Sequence, residues 1–352
     1  MRLKQTPRGF IPPYILSHII EHGSERQRSC ALGTLSHVQA LQRNPGPPLH
    51  RPMQSALPER SQPGQPRRSI HDAEGQMRLP GRLSRIEGQG ATGDAAVDEA
   101  YDALGATYEF FWQVYGRHSI DGRGFPLIGT VHYGERYENA FWNGEQMVFG
   151  DGDGEVFQRF TRSLDVIAHE LAHGVTETEA GLVYYNQSGA LNESVSDVFG
   201  VLTKQYVLRQ AAQEADWLVG ADLLTERIKG RALRSMAEPG SAYDDPLLGK
   251  DPQPGHMRDF IDTRDDNGGV HLNSGIPNRA FYLAASAIGG YAWEKAGQVW
   301  YDTLCDRELR NDADFSAFAA LTVAHAERRF GAQSGEAQSV AKAWADVGVD
   351  LS

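Results

Sequence analysis

The segment Val166-Ile167-Ala168-His169-Glu170-Leu171-Ala172-His173 decides how this chain is read. It lies in a helix-like apolar run from Leu164 to Thr176, so two histidines four residues apart share one face, about one turn apart. Both imidazoles can then reach a single cation, and Glu170 projects beside them, placed to take a proton from water. Twenty residues beyond His173 comes Asn192-Glu193-Ser194-Val195-Ser196-Asp197, inside a second helix-like run from Ala190 to Val207. A catalytic zinc needs three protein ligands and one open position, and Glu193 supplies the third ligand. Asp197 and Asn192 are placed to accept from the far ring nitrogens of the ligating histidines, which would fix their tautomers.

Working outward, Ala95 to Tyr115 reads as an amphipathic helix, with Val97, Tyr101, Leu104, Tyr108 and Phe111 at spacings of three and four. Between Leu127 and Phe160, β-prone runs such as Thr130-Val131-His132-Tyr133 and Gln146-Met147-Val148-Phe149 alternate with Gly/Asp turns. The part after Glu214 reads as mostly helical, interrupted by a loop-rich stretch from Glu238 to Gly275. No internal repeat is visible. The outline is α+β: a strand-rich half, a bridging helix and a helical half.

The beginning of the chain differs in character. Residues 10–43 look ordered, with Phe10-Ile11-Pro12-Pro13-Tyr14-Ile15-Leu16 leading into a helix-like stretch and a second such run at Ala31 to Leu41. From Asn44 to Pro66 the chain is rich in Pro, Gln, Ser and Arg, which cannot bury enough apolar surface to fold and reads as a protease-accessible linker. Net charge is −12 over 352 residues, yet residues 1–70 hold ten Lys/Arg against three Asp/Glu. A basic leader can dock on the acidic body that follows. That acidic body would repel phosphates, so nucleic acid is not an expected partner. No run of eighteen apolar residues is present, so no membrane partner is expected either. A standard secretory signal is absent, which leaves export by another route or a cytoplasmic precursor. Cys30 and Cys305 cannot make a disulfide framework and read as reduced thiols.

At these residues the chain closely resembles the thermolysin-like neutral metallopeptidases. The likeness rests on His169-Glu170-Leu171-Ala172-His173 and Asn192 to Asp197. It continues through Asn139-Ala140-Phe141-Trp142-Asn143-Gly144, Leu233-Arg234-Ser235-Met236 and Asp266-Asn267-Gly268-Gly269-Val270-His271-Leu272-Asn273-Ser274-Gly275. A short leader bearing Ile11-Pro12-Pro13-Tyr14 and Cys30-Ala31-Leu32 is similar to that of the protealysin group within the family. The resemblance implies a two-domain architecture with a strand-rich N-terminal domain, a helical C-terminal domain and the active-site cleft between them. The expected divisions are a propeptide over 1–50, a linker with the maturation site over 51–70, an N-terminal catalytic domain with the zinc helix over 71–178 and a C-terminal domain over 179–352.

Roles follow from the same resemblance. Glu170 takes the proton of the attacking water and passes it to the leaving amine. His271 and Tyr184 stabilise the oxyanion, with Asp266 orienting His271. Asn139 and the Ala140 backbone hold the substrate extended, and Arg234 binds a substrate carbonyl. Phe157, Phe160, Val166 and Leu233 line a pocket for a bulky apolar residue after the cut. A dead protease kept as a binding module would be marked by loss of Glu170, Tyr184 or His271, and all three are present. Zinc is the expected cofactor. The family's double calcium site is in doubt, because Lys204 stands where a bridging glutamate belongs, and Leu218 and Ala221 replace two further acids beside the surviving Asp165 and Asp216. An ammonium can neutralise those carboxylates in place of an ion. The acidic loops Asp151-Gly152-Asp153-Gly154 and Asp262 to Asp266 leave room for one weaker calcium site. The leader is expected to act as an intramolecular inhibitor, with Ile11, Pro12, Pro13 and Tyr14 as a rigid extended segment in the substrate pocket.

Overall fold

The computed structural model describes residues 8–43 and 60–351, so the linker through residue 59 lies outside the described residues. The chain divides into two compact units: residues up to Gly174 with Asp222–Lys229 and Asp245–Gly249, and Val175–Ala221 with Gly230–Asp244 and Lys250 onward.

The first unit contains the leader and a six-stranded sheet. Strand β1 (Arg8–Gly9) is followed by helices α1 (Pro13–His22) and α2 (Glu25–Arg43). Then come β2 (Arg68–Asp72), β3 (Arg82–Ile86), helix α3 (Ala95–Tyr115), β4 (Leu127–Val131), β5 (Ala140–Trp142) and β6 (Met147–Phe149). The sheet order is β1-β5-β6-β4-β2-β3. Strands β2, β4 and β6 run parallel to one another, and the β1–β5, β5–β6 and β2–β3 pairs are antiparallel. Residues 68–70, placed in the linker by the expected domain divisions, already belong to β2. The β-prone run at Thr130 to Tyr133 ends as strand at Val131, because His132 takes a left-handed φ of 53°.

Helix α3 occupies the span its periodicity predicts, and its ends show why. Asp94 caps the start by accepting from the Ala96 and Val97 amides, and Gly116 closes the end in the left-handed region at φ 65°. In the leader, Ile15, Leu16 and Ile19 form the buried stripe of α1, and burying each contributes about 1.5–3 kcal/mol. Leu41 of α2 packs against a buried body cluster that includes Tyr133, Tyr137 and Phe141. His18 anchors α1 further, its Nδ1 donating to the Leu247 carbonyl at 3.0 Å.

Helix α4 (Leu164–Thr178) is followed by α5 (Asn186–Leu208), four residues longer at its start than the sequence pattern suggests. The second unit then departs from the helical reading after Glu214. Trp217 and Gly220 adopt positive φ of 56° and 70°, which no continuing helix tolerates. Short strands take its place: β7 (Leu218–Val219) pairs with β8 (Arg234–Ser235), and β9 (Asp244–Asp245) with β10 (Gly249–Lys250). Helices resume with α6 (Asp266–Asn273), α7 (Gly275–Ile288), α8 (Ala296–Leu304), α9 (Phe315–Phe330) and α10 (Gly335–Asp346). Their core is aromatic: Trp300 and Trp344 stack at 6.0 Å, with Phe281 and Phe318 edge-on to Trp300. Among the described residues, no helix is long and apolar enough to cross a membrane.

Lys204 on α5 lies where calcium was in question. Its Nζ donates to the Leu218 carbonyl at 2.9 Å and lies 3.3 Å from Asp216, so an ammonium ties this loop to the helix. Changing Lys204 to Met should strand the Leu218 carbonyl and cost about 1–2 kcal/mol. The thermal midpoint should then fall by about 2–4 °C without recovery on adding calcium. Full rescue by calcium would show that an ion, rather than the lysine, holds the loop. The acids of the 151–154 loop are also engaged. Asp151 accepts from His132 Nδ1 at 2.8 Å, and Asp153 Oδ1 accepts from the amides of Glu155, Val156 and Phe157.

Candidate active site

Helix α4 carries the paired histidines on one face, with His169 and His173 edge-to-face at a ring separation of 4.7 Å. One ligand atom each from His169, His173 and Glu193 lies within 4.8 Å of the others, and all three residues are buried. Two imidazoles and a carboxylate match the donor set and count of a catalytic zinc centre. The geometry therefore fits the ion that the spacing implies.

Glu170, the residue after the first ligand, is also buried. Its Oε2 accepts from the Trp142 backbone amide of β5 at 2.9 Å, which fixes the carboxylate relative to the edge of the sheet. On that edge sit Asn139 and Ala140, and both are engaged by the leader. Strand β1 pairs antiparallel with β5, Arg8 opposite Trp142 and Gly9 opposite Phe141. The Phe10 amide donates to the Ala140 carbonyl at 3.0 Å, and the Ile11 amide donates to Asn139 Oδ1 at 2.9 Å. Asn139 Nδ2 reaches back to the Ile11 carbonyl at 3.4 Å. Gly9 leaves room for this, since a Cβ would sit 2.4 Å from Asn139 Nδ2 and force that side chain to shift. The Phe10 ring stands edge-on to His169 at 5.0 Å.

These hydrogen bonds run through Arg8–Ile11, so of the segment singled out from the sequence it is Ile11 that meets Asn139. Pro12 caps α1 and Pro13 occupies its first turn, where a missing N–H costs nothing and the fixed φ suits a helix, so the extended run stops there. Tyr14 lies within α1. No periodicity could have flagged a two-residue strand whose partner is some 130 residues away.

In the second unit, His271 is held by Asp266 in two ways. The His271 amide donates to Asp266 Oδ2 at 2.8 Å and its Nδ1 lies 2.7 Å from Asp266 Oδ1. This return contact depends on a left-handed run, with Asp266, Asn267, Gly268 and Gly269 at φ 51°, 53°, 83° and 74°. Asn and Gly are the residues that adopt it cheaply. His271 Nε2 lies 3.2 Å from the Tyr184 hydroxyl and 3.6 Å from Glu193, and the Tyr184 hydroxyl also donates to Glu193. Burial works against a charge on His271, but Asp266 and Glu193 outweigh it and hold its pKa above the ordinary value.

Arg234 is buried and grips Asp197 through two parallel bonds of 2.8 Å, from Nε and Nη2. Asn278 donates to the same carboxylate at 2.9 Å, a partner that sequence reading missed because a lone Asn in an apolar helix has no distinctive pattern. Asn192 Nδ2 donates to the Leu182 carbonyl at 3.1 Å. Phe157, Phe160, Val166 and Leu233 are all buried. Cys30 and Cys305 form no disulfide.

Fold and site together define a metallopeptidase, and comparison with known proteins places it. Residues 72–177 match the catalytic domain of the thermolysin metallopeptidases, 180–349 match their alpha-helical domain, and 8–49 match the protealysin propeptide. An extracellular metalloprotease of Pectobacterium carotovorum subsp. carotovorum is 60% identical over 97% of this chain and 96% of its own length. Protease PrtS of Photorhabdus sp. (strain Az29) is 52% identical over 98% and 92%. The solved precursor of protealysin from Serratia proteamaculans is 60% identical, with a TM-score of 0.90 covering 97% of this chain and all of that one. The chain belongs to the thermolysin family of metallopeptidases and carries a protealysin-type propeptide. Its fold is the family's mixed α+β one, and His169, His173 and Glu193 form its zinc-binding group.

Proposed function

We propose that this chain is the latent precursor of an exported zinc endopeptidase that cuts on the amino side of bulky apolar residues. The observation that carries the reading is the leader strand on β5, hydrogen-bonded to Asn139 and Ala140 as an extended peptide substrate would be. The leader supplies its own backbone to the groups that would hold a substrate, so latency is competition for one edge. The domain reading is a propeptide over residues 1–50, a linker with the maturation site from 51 up to the start of β2 at Arg68, and catalytic domains from there to 178 and over 179–352. Export is supported by relatives named as extracellular.

Bound to its three ligands, zinc supplies Lewis-acid chemistry, polarising the scissile carbonyl and acidifying the attacking water. Glu170, steadied by the Trp142 amide, takes the water proton and delivers it to the departing amine. Tyr184 and His271 donate to the oxyanion as it forms, and Asp266 holds His271 in the donating orientation. Arg234, aimed by Asp197, binds a substrate carbonyl, while Asp197 and Asn192 support the ligating histidines. Phe157, Phe160, Val166 and Leu233 supply the apolar pocket.

The test compares casein hydrolysis by purified precursor and linker-cleaved protein, each with and without 1,10-phenanthroline. The precursor should be slow, the cleaved form fast, and the chelator should abolish both rates. Cleavage-site profiling should show Leu or Phe after the cut. Equal rates before and after linker cleavage would refute latency, and a preference for charged residues would refute the pocket.

A further inference from the structure

Glu138 immediately precedes Asn139. It is fully buried, and neither carboxyl oxygen has a hydrogen-bond partner. Its backbone amide donates to Thr34 Oγ1 of leader helix α2 at 3.1 Å, and Thr34 is buried in turn. Asp153, whose charge acts on it, is also buried and has one oxygen, Oδ2, without a partner. Two carboxyl groups thus face each other's field under the leader, with three oxygens unsatisfied. A buried carboxylate in that position, with no donor and a like charge nearby, is strongly disfavoured, whereas the neutral acid is tolerated. Burial first, and Asp153 second, raise the Glu138 pKa to about 9.

The leader supplies the cover. Cys30 and Thr34 of α2 border a cavity of about 250 Å³ against Arg136 and Tyr137 of the body. The Cys30 thiol is itself pushed up, by burial first and then by Glu138 and Asp153.

We propose that Glu138 is a proton-operated latch on the propeptide: the docked leader holds the carboxyl protonated, and release of α2 gives that proton to solvent. The latch rests on the reading of the leader as the inhibitor and names how its hold is regulated. Docking takes up one proton and undocking returns it. Because the docked pKa lies above the free one, docking is strongest below the free value of about 4.5 and weakens as pH rises towards about 9. One proton sets the limit at about tenfold per pH unit.

The other groups at this face titrate elsewhere or in the opposite sense. His37, between the Tyr133 and Tyr137 hydroxyls, has its pKa lowered by burial, so its contribution lies at acid pH and strengthens docking as pH rises. Cys30 is raised above 9, Tyr133 reaches about 12 and Tyr137 lies well above its ordinary value. Arg26 of α2 pairs with Glu155 at 3.5 Å, and Glu135 and Arg136 line the cavity. The window from pH 7 to 9 therefore belongs to Glu138.

The test uses the full chain made inert by Glu170→Ala and follows hydrogen-exchange protection of α1 and α2, referred to the intrinsic rate at each pH. Protection should fall by up to about tenfold per unit from pH 7 to 9. Adding Glu138→Gln, which keeps the shape but cannot ionise, should flatten that slope and leave the leader docked at pH 9. Glu138→Met is the second variant should Gln perturb folding. An identical slope with and without Glu138 overturns the latch while leaving latency intact. An active, unprocessed wild-type precursor overturns latency itself, so the two failures are distinguishable.

Discussion

Glu170→Gln is expected to lower kcat on casein or a Leu-containing peptide by about 10⁴-fold, the upper range for loss of a general acid–base group. The protein should still bind one zinc per chain. Glutamine keeps the side-chain length and an amide oxygen able to accept from the Trp142 backbone, so the local structure has no reason to change. His169, His173 and Glu193 are untouched, so metal content measured by elemental analysis should match the parent. What disappears is a base able to take the proton of the attacking water and carry it to the amine. If processing of the linker is the enzyme's own work, the variant should also accumulate as uncut precursor. Activity within tenfold of the parent would remove Glu170 from the chemistry.

What could be read from the sequence depended on whether local periodicity carried the information. His169, Glu170 and His173 were legible because a 3.6-residue period in an apolar run fixes which side chains share a face. Glu193 followed because zinc chemistry demands a third donor and a second apolar helix offered one. Asp266 and His271 came from the family resemblance alone, since their pairing rests on a left-handed turn through Asn267-Gly268-Gly269 that carries no periodic signal. Residues 214–238 misled for the same reason in reverse. Their composition suits a helix, but Trp217 and Gly220 turn the chain left-handed, and short strand pairs win. The leader strand was hidden because Pro12-Pro13 fits equally an extended segment and the first turn of a helix, and tertiary pairing with β5 decides. Glu138 reads in sequence as one more surface acid. Only burial without a partner sets it apart.

His271→Ala should show where binding energy is spent during turnover. His271 is fixed before substrate arrives: Asp266 holds it through both backbone amide and ring, and Nε2 lies 3.2 Å from the Tyr184 hydroxyl. Donors fixed in this way cost little to reorganise when negative charge develops on the carbonyl oxygen. The ground-state carbonyl is nearly neutral, so the pair should contribute little to substrate binding and much to the transition state. Removing His271 should therefore lower kcat by about 10²–10³-fold and change KM far less. Asp266→Asn should give a smaller loss of the same kind, because the ring stays but is less firmly oriented. Tyr184→Phe should resemble His271→Ala, and the double variant should lose less than the product of the two, since the groups touch and serve one oxygen. Steady-state kinetics on a single peptide substrate reads all four proteins. A rise in KM with kcat unchanged would place His271 in substrate binding and leave the developing charge to Tyr184 and the metal.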